Sequence, residues 1–296
     1  MSETTASLRR KIARAGDLQS VVRTMKGLAA SSIGQYEQSV HALTDYSRTI
    51  ELGLSVCFRE SERATRTAGP TRQTGVRTIN AVVFGSDQGL VGQFNDVVAD
   101  YAIKMLASLP GTHQVWAVGE RVQARLSDAG LTPKGAFAVP NAVQAITPLI
   151  GQILVHTETR VRQGDVAELH LVYNRPTSGS GYAPAGQRLL PLDARWIHEL
   201  ARRPWPTRQR PEVMGSGTLA LRALVREYLF VSLFRACAES LASENASRLA
   251  AMERADKNID ELLETLHGTF HRVRQSGIDE ELFDVVSGFE ALIGPR

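Results

Sequence analysis

The sequence predicts a mixed α+β and α/β protein: an α/β domain inserted between two very long terminal helices that pair as an antiparallel coiled coil. Three observations predict it. Both ends of the chain repeat apolar residues at alternating steps of four and three. The middle instead alternates short strand-like runs with helix-like stretches. Flanks rich in glycine, proline and arginine separate the middle from the ends.

The N-terminal helix is expected over residues 1–60. Stepping from Leu8 through Ile12, Ala15, Gln19 and Val22 to Leu54 and Cys57 visits fifteen positions, of which twelve are apolar, and no proline interrupts them. A heptad pattern sustained this far is the seam of a coiled coil. At the other end, residues 216–292 contain no proline. Leu249, Met252, Ile259, Leu263, Leu266, Phe270 and Val273 hold the three/four spacing, and Ile278, Leu282, Val285, Phe289 and Leu292 repeat it. Charge suggests the register: the basic block from Arg9 to Lys26 complements the acidic residues between Glu239 and Glu264. Residue 25 is then expected beside residue 248, which leaves the apolar stripe after about residue 265 without a partner from its own chain.

Between the ends, residues 75–193 read as the α/β domain. "TINAVVFG", "HQVWAVG", "KGAFAVP", "ELHLVYNRP" and "GQRLLPLD" are strand candidates. "FNDVVADYAIKMLASL", "ERVQARLSDAG" and "NAVQAITPLIGQILVHTETRVRQG" are helix candidates. That alternation implies a mostly parallel sheet, hence a Rossmann-like layer. Residues 194–215 form a basic, proline-rich linker. It either serves only as a solvated connection or touches an acidic partner or lipid headgroups.

The most suggestive local stretch is "FGSDQGLVGQFN", with Gly85, Gly89 and Gly92 behind a strand and ahead of a helix. A dinucleotide loop needs G-x-G-x-x-G, and the first interval here is too long; a Walker loop needs Gly-Lys, and no such pair occurs. The three glycines are therefore expected to make a structural turn, with Gly89 taking a positive φ and Asp87 capping the helix that follows. No cofactor and no metal site is expected.

Composition bounds the rest. The 296 residues are 43% hydrophobic and carry a net charge of +3, too mild to argue for nucleic acid. No apolar run approaches the ~18 residues of a membrane span, so no direct membrane insertion is expected. The N-terminus lacks the apolar core of a signal peptide. The two cysteines, Cys57 and Cys237, are expected to be small buried hydrophobes, unbonded and about 30 Å apart.

Three segments resemble the gamma subunit of F-type ATP synthases. "SDQGLVGQFN" is similar to that family's "SDRGLCGGLN" loop and "LQSVVRTMKGLAASS" to its "TQKITKAMKMVAASK". "SENASRLAAMERADKNIDEL" with "RVRQSGIDEELFDVVSGFEAL" matches its C-terminal blocks, ungapped from Arg248 to Gln275. The resemblance implies a central-stalk rotor with no catalytic residue of its own. It implies as partners the alpha and beta subunits of the catalytic head, an epsilon-type subunit and the membrane c-ring. The place implied is peripheral, at the cytoplasmic face of the bacterial inner membrane. Met25, Lys26, Arg248, Gln275 and Glu281 fall on family positions that contact the catalytic ring; on chemistry alone Arg248 could equally pair with Glu244. Ser32 and Asp279 depart from the family's lysine and threonine, and Trp205–Pro206 among arginines replaces an acidic, aromatic segment at the rotor foot. Such departures point to a divergent, alternative or sodium-type ATPase. On the residues alone, a nucleotide-dependent α/β enzyme and a non-rotary coiled-coil scaffold remain open.

Overall fold

The computed structural model describes residues 4–65, 78–162, 168–177, 181–209, 211–213 and 216–293. The chain divides into two compact units, residues 30–248 and the smaller 1–29 with 249–296. The flank at 66–77 and residues 210, 214 and 215 of the basic segment lie outside the described residues.

The larger unit is built on a five-stranded sheet. Its strands are β1 (Thr78–Phe84), β2 (Thr112–Val118), β3 (Gly135–Phe137), β4 (Glu168–Pro176) and β5 (Tyr182–Leu190), in the order β3-β2-β1-β4-β5. The first four pair in parallel and β5 adds antiparallel to β4. Side-chain alternation assigns the two faces of β1. Ile79, Ala81 and Val83 pack with α2 (Phe94–Ala107) and α3 (Glu120–Asp128). Val82 and Phe84 pack instead with α4 (Ile146–Arg162) and with residues 229–242 of the long helix α6 (Gly217–Ile293). The expected strands are all present, but β5 starts four residues before the run that suggested it. Pro184 lies within that extension; the strand tolerates it because β5 is an edge strand, where a missing N–H breaks no inner ladder.

Here α6 behaves as core rather than as an amphipathic helix. Every residue from Leu233 to Asn245 except Arg235 is buried. Small residues dominate the stretch: Ala236, Cys237, Ala238, Ser240, Ala242 and Ser243 let neighbouring backbones approach on all sides. Cys57 and Cys237 are both free and buried, as the composition suggested.

The segment read as a linker from residue 194 opens with a helix, α5 (Ala194–Arg202). Asp193 caps it by accepting from the amides of Arg195 and Trp196. Leu200 and Ala201 pack with Ile50, Leu54 and Phe58 of α1 (Thr5–Thr65). Arg59 donates to the carbonyls of Ala201 and Arg203, closing the helix's C-terminal end. Arginines made the segment read as solvated, yet its apolar positions follow helical spacing.

In the smaller unit α1 and α6 run antiparallel. Leu8, Ala15, Val22 and Ala29, spaced by sevens, are buried along α1, as the heptad pattern predicted. Ala15 and Val22 meet Met252 and Ile259. Charge opposition also holds, since Arg23 pairs with Asp256 at 3.1 Å and Asp260 at 3.6 Å. The expected register of residue 25 beside 248 would set Val22 near 251 and Ala15 near 258; the buried partners Met252 and Ile259 lie within one position of that. Lys26 instead reaches Glu253, six residues beyond 247, at 4.0 Å. A long flexible side chain spans that distance along the helix, so ion pairs mark the register more coarsely than the packed seam does.

Among the described residues no helix is long and apolar enough to cross a membrane.

Candidate functional site

The glycine loop joins β1 to α2. Gly85 is required by space, because a Cβ there would lie 2.3 Å from that of Val122 and 2.8 Å from Asn95 Oδ1. Asn95 then staples the loop: its Oδ1 accepts from the Ser86 amide at 2.9 Å and its Nδ2 donates to Ser86 Oγ at 2.8 Å. Asp87 does not cap α2, as the sequence suggested. Its Oδ1 accepts from the Glu120 amide at 2.9 Å and its Oδ2 from the Val139 amide at 2.8 Å, so it caps α3 and ties down the strand exit beyond β3. Nor does Gly89 carry the positive φ. Leu90 does at 63°, and Gly92 at 56°. The sequence could not foresee that a leucine takes the left-handed position. Ser247 of α6 donates to the Val91 carbonyl at 2.5 Å, bracing this apex from below.

This geometry argues against a phosphate cradle at the loop. A helix N-terminus binds anions through free amides and its dipole. At α3 that position already holds the Asp87 carboxylate, which would repel a phosphate. The loop is a braced turn that leaves the Leu90 side chain 62% exposed. Among the described residues no group of three or more His, Cys, Asp and Glu side chains could hold a metal ion.

Of the predicted contact residues, Arg248 is paired inside the larger unit. Its Nη2 donates to Glu244 Oε1 at 2.6 Å, and the two side chains are only 13% and 7% exposed. Burial pushes the Glu244 carboxyl above its usual range; Arg248 partly offsets this, and nearby Asp87 reinforces it. Glu244 Oε2 and Arg248 Nε find no hydrogen-bond partner among the described residues. Desolvation of this pair is thus incompletely compensated.

Met25, Lys26, Gln275 and Glu281 belong to the smaller unit. Met25 packs partly buried against the cluster of Ala15, Val22, Met252 and Ile259. Gln275 and Glu281 are exposed on α6. Between them and beyond, Ile278, Leu282, Phe283, Val285, Val286 and Phe289 are 45–71% exposed, a run of bare apolar surface. This is the stripe expected to lack a partner from its own chain. A second exposed apolar face on α1, Leu18, Val21 and Leu28, lies off the heptad seam, where seven-residue spacing does not reveal it.

A sequence profile of the ATP synthase family matches residues 4–292. The ATP synthase gamma chain of Syntrophus aciditrophicus is 28% identical over 299 residues, covering 96% of this chain and 97% of that one. That of Glaesserella parasuis is 26% identical, covering 96% and 98%. Among solved structures, a chain of the rotor of the Euglena gracilis mitochondrial ATP synthase in rotational state 1 superposes with a TM-score of 0.62. Its identity is 15%, with 93% of this chain and 98% of that one covered. A chain of the Tetrahymena thermophila mitochondrial ATP synthase central stalk and c-ring gives 0.56 at 20% identity, covering 79% and 99%.

Proposed function

Since the chain belongs to the ATP synthase gamma-chain family, we propose that it is the central-stalk rotor subunit of an F-type ATP synthase. It couples ion flow through a membrane c-ring to rotary ATP synthesis or hydrolysis in a catalytic head of alpha and beta subunits. The observation that carries this reading is the family match over residues 4–292, which takes in both long helices and the sheet.

The physical chemistry agrees. In this reading α1 and α6 form an antiparallel coiled coil and the sheet domain is a Rossmann-like foot that meets an epsilon-type subunit and the c-ring. A stiff helix pair without symmetry presents a different face to each catalytic pair around it. Turning it shifts each nucleotide site between conformations of different affinity, and the axle itself needs no catalytic group. The exposed apolar run from Ile278 to Phe289 suits a bearing formed by the ring. Met25, Lys26, Gln275 and Glu281 are assigned to contacts with the ring. Arg248 contributes through its bond to Glu244 or by releasing it. The subunit is peripheral, on the cytoplasmic face of a bacterial inner membrane.

A tag on this chain should bring down a complex that hydrolyses ATP and contains alpha- and beta-type subunits; a complex without them would refute the rotor assignment. Assaying that complex with and without sodium identifies the coupling ion. Met25→Lys adds a positive charge at the ring contact and strengthens one rotor angle by about 1–3 kcal/mol of charge-assisted bonding. Ion pumping into vesicles should fall while ATP hydrolysis partly survives. Equal loss of both, or of neither, removes Met25 from the coupling path.

A further inference from the structure

The larger unit carries a solvent-open cavity that the rotor reading leaves without a task. It measures about 410 Å³ and lies between strands β4 and β5 and helices α1, α5 and α6. Arg175, Arg188 and Arg235 line it beside the aromatic side chains of Tyr173, Trp196 and Tyr228. Arg235 also lines two adjoining hollows of about 600 and 240 Å³, and Arg175 lines the larger of these.

The charge count there favours an anion. Nε of Arg175 donates to Glu239 Oε2 at 3.1 Å and Nε of Arg235 donates to Glu239 Oε1 at 2.8 Å. One carboxylate thus serves two guanidinium groups. Glu239 lines the adjoining hollow of about 600 Å³, and the carboxylates lining the cavity itself are committed elsewhere. Glu51 accepts from Arg203 at 2.7 Å, and Asp193 accepts from the amides of Arg195 and Trp196 while lying 3.5 Å from Arg188.

Arg175 is held in place from three sides. Its Nη2 donates to Tyr173 Oη at 2.6 Å, its guanidinium carbon lies 5.6 Å from the Tyr173 ring centre, and Glu239 takes its Nε. A guanidinium has five N–H donors. The contacts made among the described residues use the Nε of both arginines and one terminal nitrogen of Arg175. They leave Nη1 of Arg175 and both terminal nitrogens of Arg235. A fixed guanidinium at Arg175, a second at Arg235 that is 61% exposed and tethered through Glu239, their spare donors and a surplus positive charge match the oxygens of a phosphate group. A volume of about 410 Å³ is that of a small-molecule pocket.

We propose that this cavity binds a small phosphate-bearing anion, gripped by Arg175 and Arg235. The site is separate from the glycine loop, where Asp87 excludes phosphate, and it carries no catalytic role. Its elements come from α1, β4, β5, α5 and α6, so an occupied site would tie these together.

The test titrates the full-length chain with inorganic phosphate, pyrophosphate and ADP, read by calorimetry against sodium chloride at matched ionic strength. Saturable binding of at least one is expected. ADP binding more tightly than pyrophosphate makes a nucleotide the source of the phosphate, and pyrophosphate binding as well as ADP makes it an inorganic or non-aromatic phosphate. Arg175→Gln and Arg235→Gln should each weaken binding ~10-fold or more, whereas Arg222→Gln, an exposed charge on α6 outside the cavity, should not. Each cavity variant leaves Glu239 one guanidinium, so the buried carboxylate is not stranded. Hydrogen exchange on the unmodified chain gives a reading independent of the variants: pyrophosphate should slow exchange in β5 and α5. No saturable binding up to about 10 mM, binding that both variants leave unchanged, or protection confined to other elements would overturn the proposal.

Discussion

Helix α6 is used under two different packing rules. Within the larger unit it is enclosed: Leu233, Ala236, Cys237 and Ala238 are 1% exposed or less. Among its described residues in the smaller unit, only Met252 and Ile259 of α6 are buried, and the final turns expose Leu282, Phe283 and Val285 at 61–71%. One continuous helix is thus core in one region and ribbon in the other. The composition follows the neighbours: small side chains where elements crowd from all sides, large ones at seven-residue steps where one helix meets one partner. Stability and function should separate along the same line.

The largest expected effect tests that separation directly. Leu233→Ala removes a fully buried side chain and should destabilise the full chain by about 2–5 kcal/mol in urea unfolding. Phe283→Ala removes a larger side chain that is 71% exposed and should cost less than about 0.5 kcal/mol. The order should reverse for assembly, since the bare phenylalanine is assigned to the bearing: incorporation of Phe283→Ala into the complex should weaken. Equal stability losses in the isolated chain would erase the distinction between the two regions.

The next effect lies in the loop that α6 braces. Gly85→Ala should cost about 1–3 kcal/mol, because Val122 and Asn95 leave no room for a methyl group. Gly89→Ala should be close to neutral, since the nearest atom to an added Cβ is an Arg121 terminal nitrogen at 3.8 Å. Thermal melts of the two variants decide this. A Gly89→Ala loss as large as that of Gly85→Ala would mean that the loop is built around the other glycine. Asp87→Ala comes below Gly85→Ala, at about 1 kcal/mol for a lost helix cap.

These residues also show how far the sequence could be read. Long-range periodicity was legible: Leu8, Ala15, Val22, Ala29 and Tyr36 repeat by seven and all are buried. Strand runs were legible where β-branched residues cluster, and less so in β5, where Pro184 hides an edge strand. Charge alone set the register coarsely, because Arg23 reaches two acids, but the buried residues Val22 and Met252 fit the expected pairing to within one position. What the sequence hid depends on contacts between distant residues. Asp87 bonds Glu120 and Val139, 33 and 52 positions away, and no local rule predicts that it caps α3 instead of the helix next to it. The enclosure of Glu244 was hidden likewise, since glutamate on a helix ordinarily faces water.

Glu244 supplies the smallest and most discriminating prediction, because it sits in the last enclosed turns of α6. Burial holds its proton more tightly in the folded chain than the usual 4.5, with Arg248 offsetting part of that rise. An acid whose folded pKa is raised favours the folded state most when protonated. Its contribution is complete below the unfolded pKa and is lost as pH climbs from about 4.5 to the raised value. Glu244→Gln carries no such proton, so every other titrating group cancels when the two chains are compared. The stability of the unmodified chain relative to Glu244→Gln, measured by urea unfolding at a series of pH values upward from 4, should therefore fall with rising pH and then level off. If it rises instead, attraction to Arg248 outweighs burial, and the pair is a net support of the enclosed region. If it falls as expected, the pair is a strained element whose arginine can be released to an acidic partner at little cost to the fold.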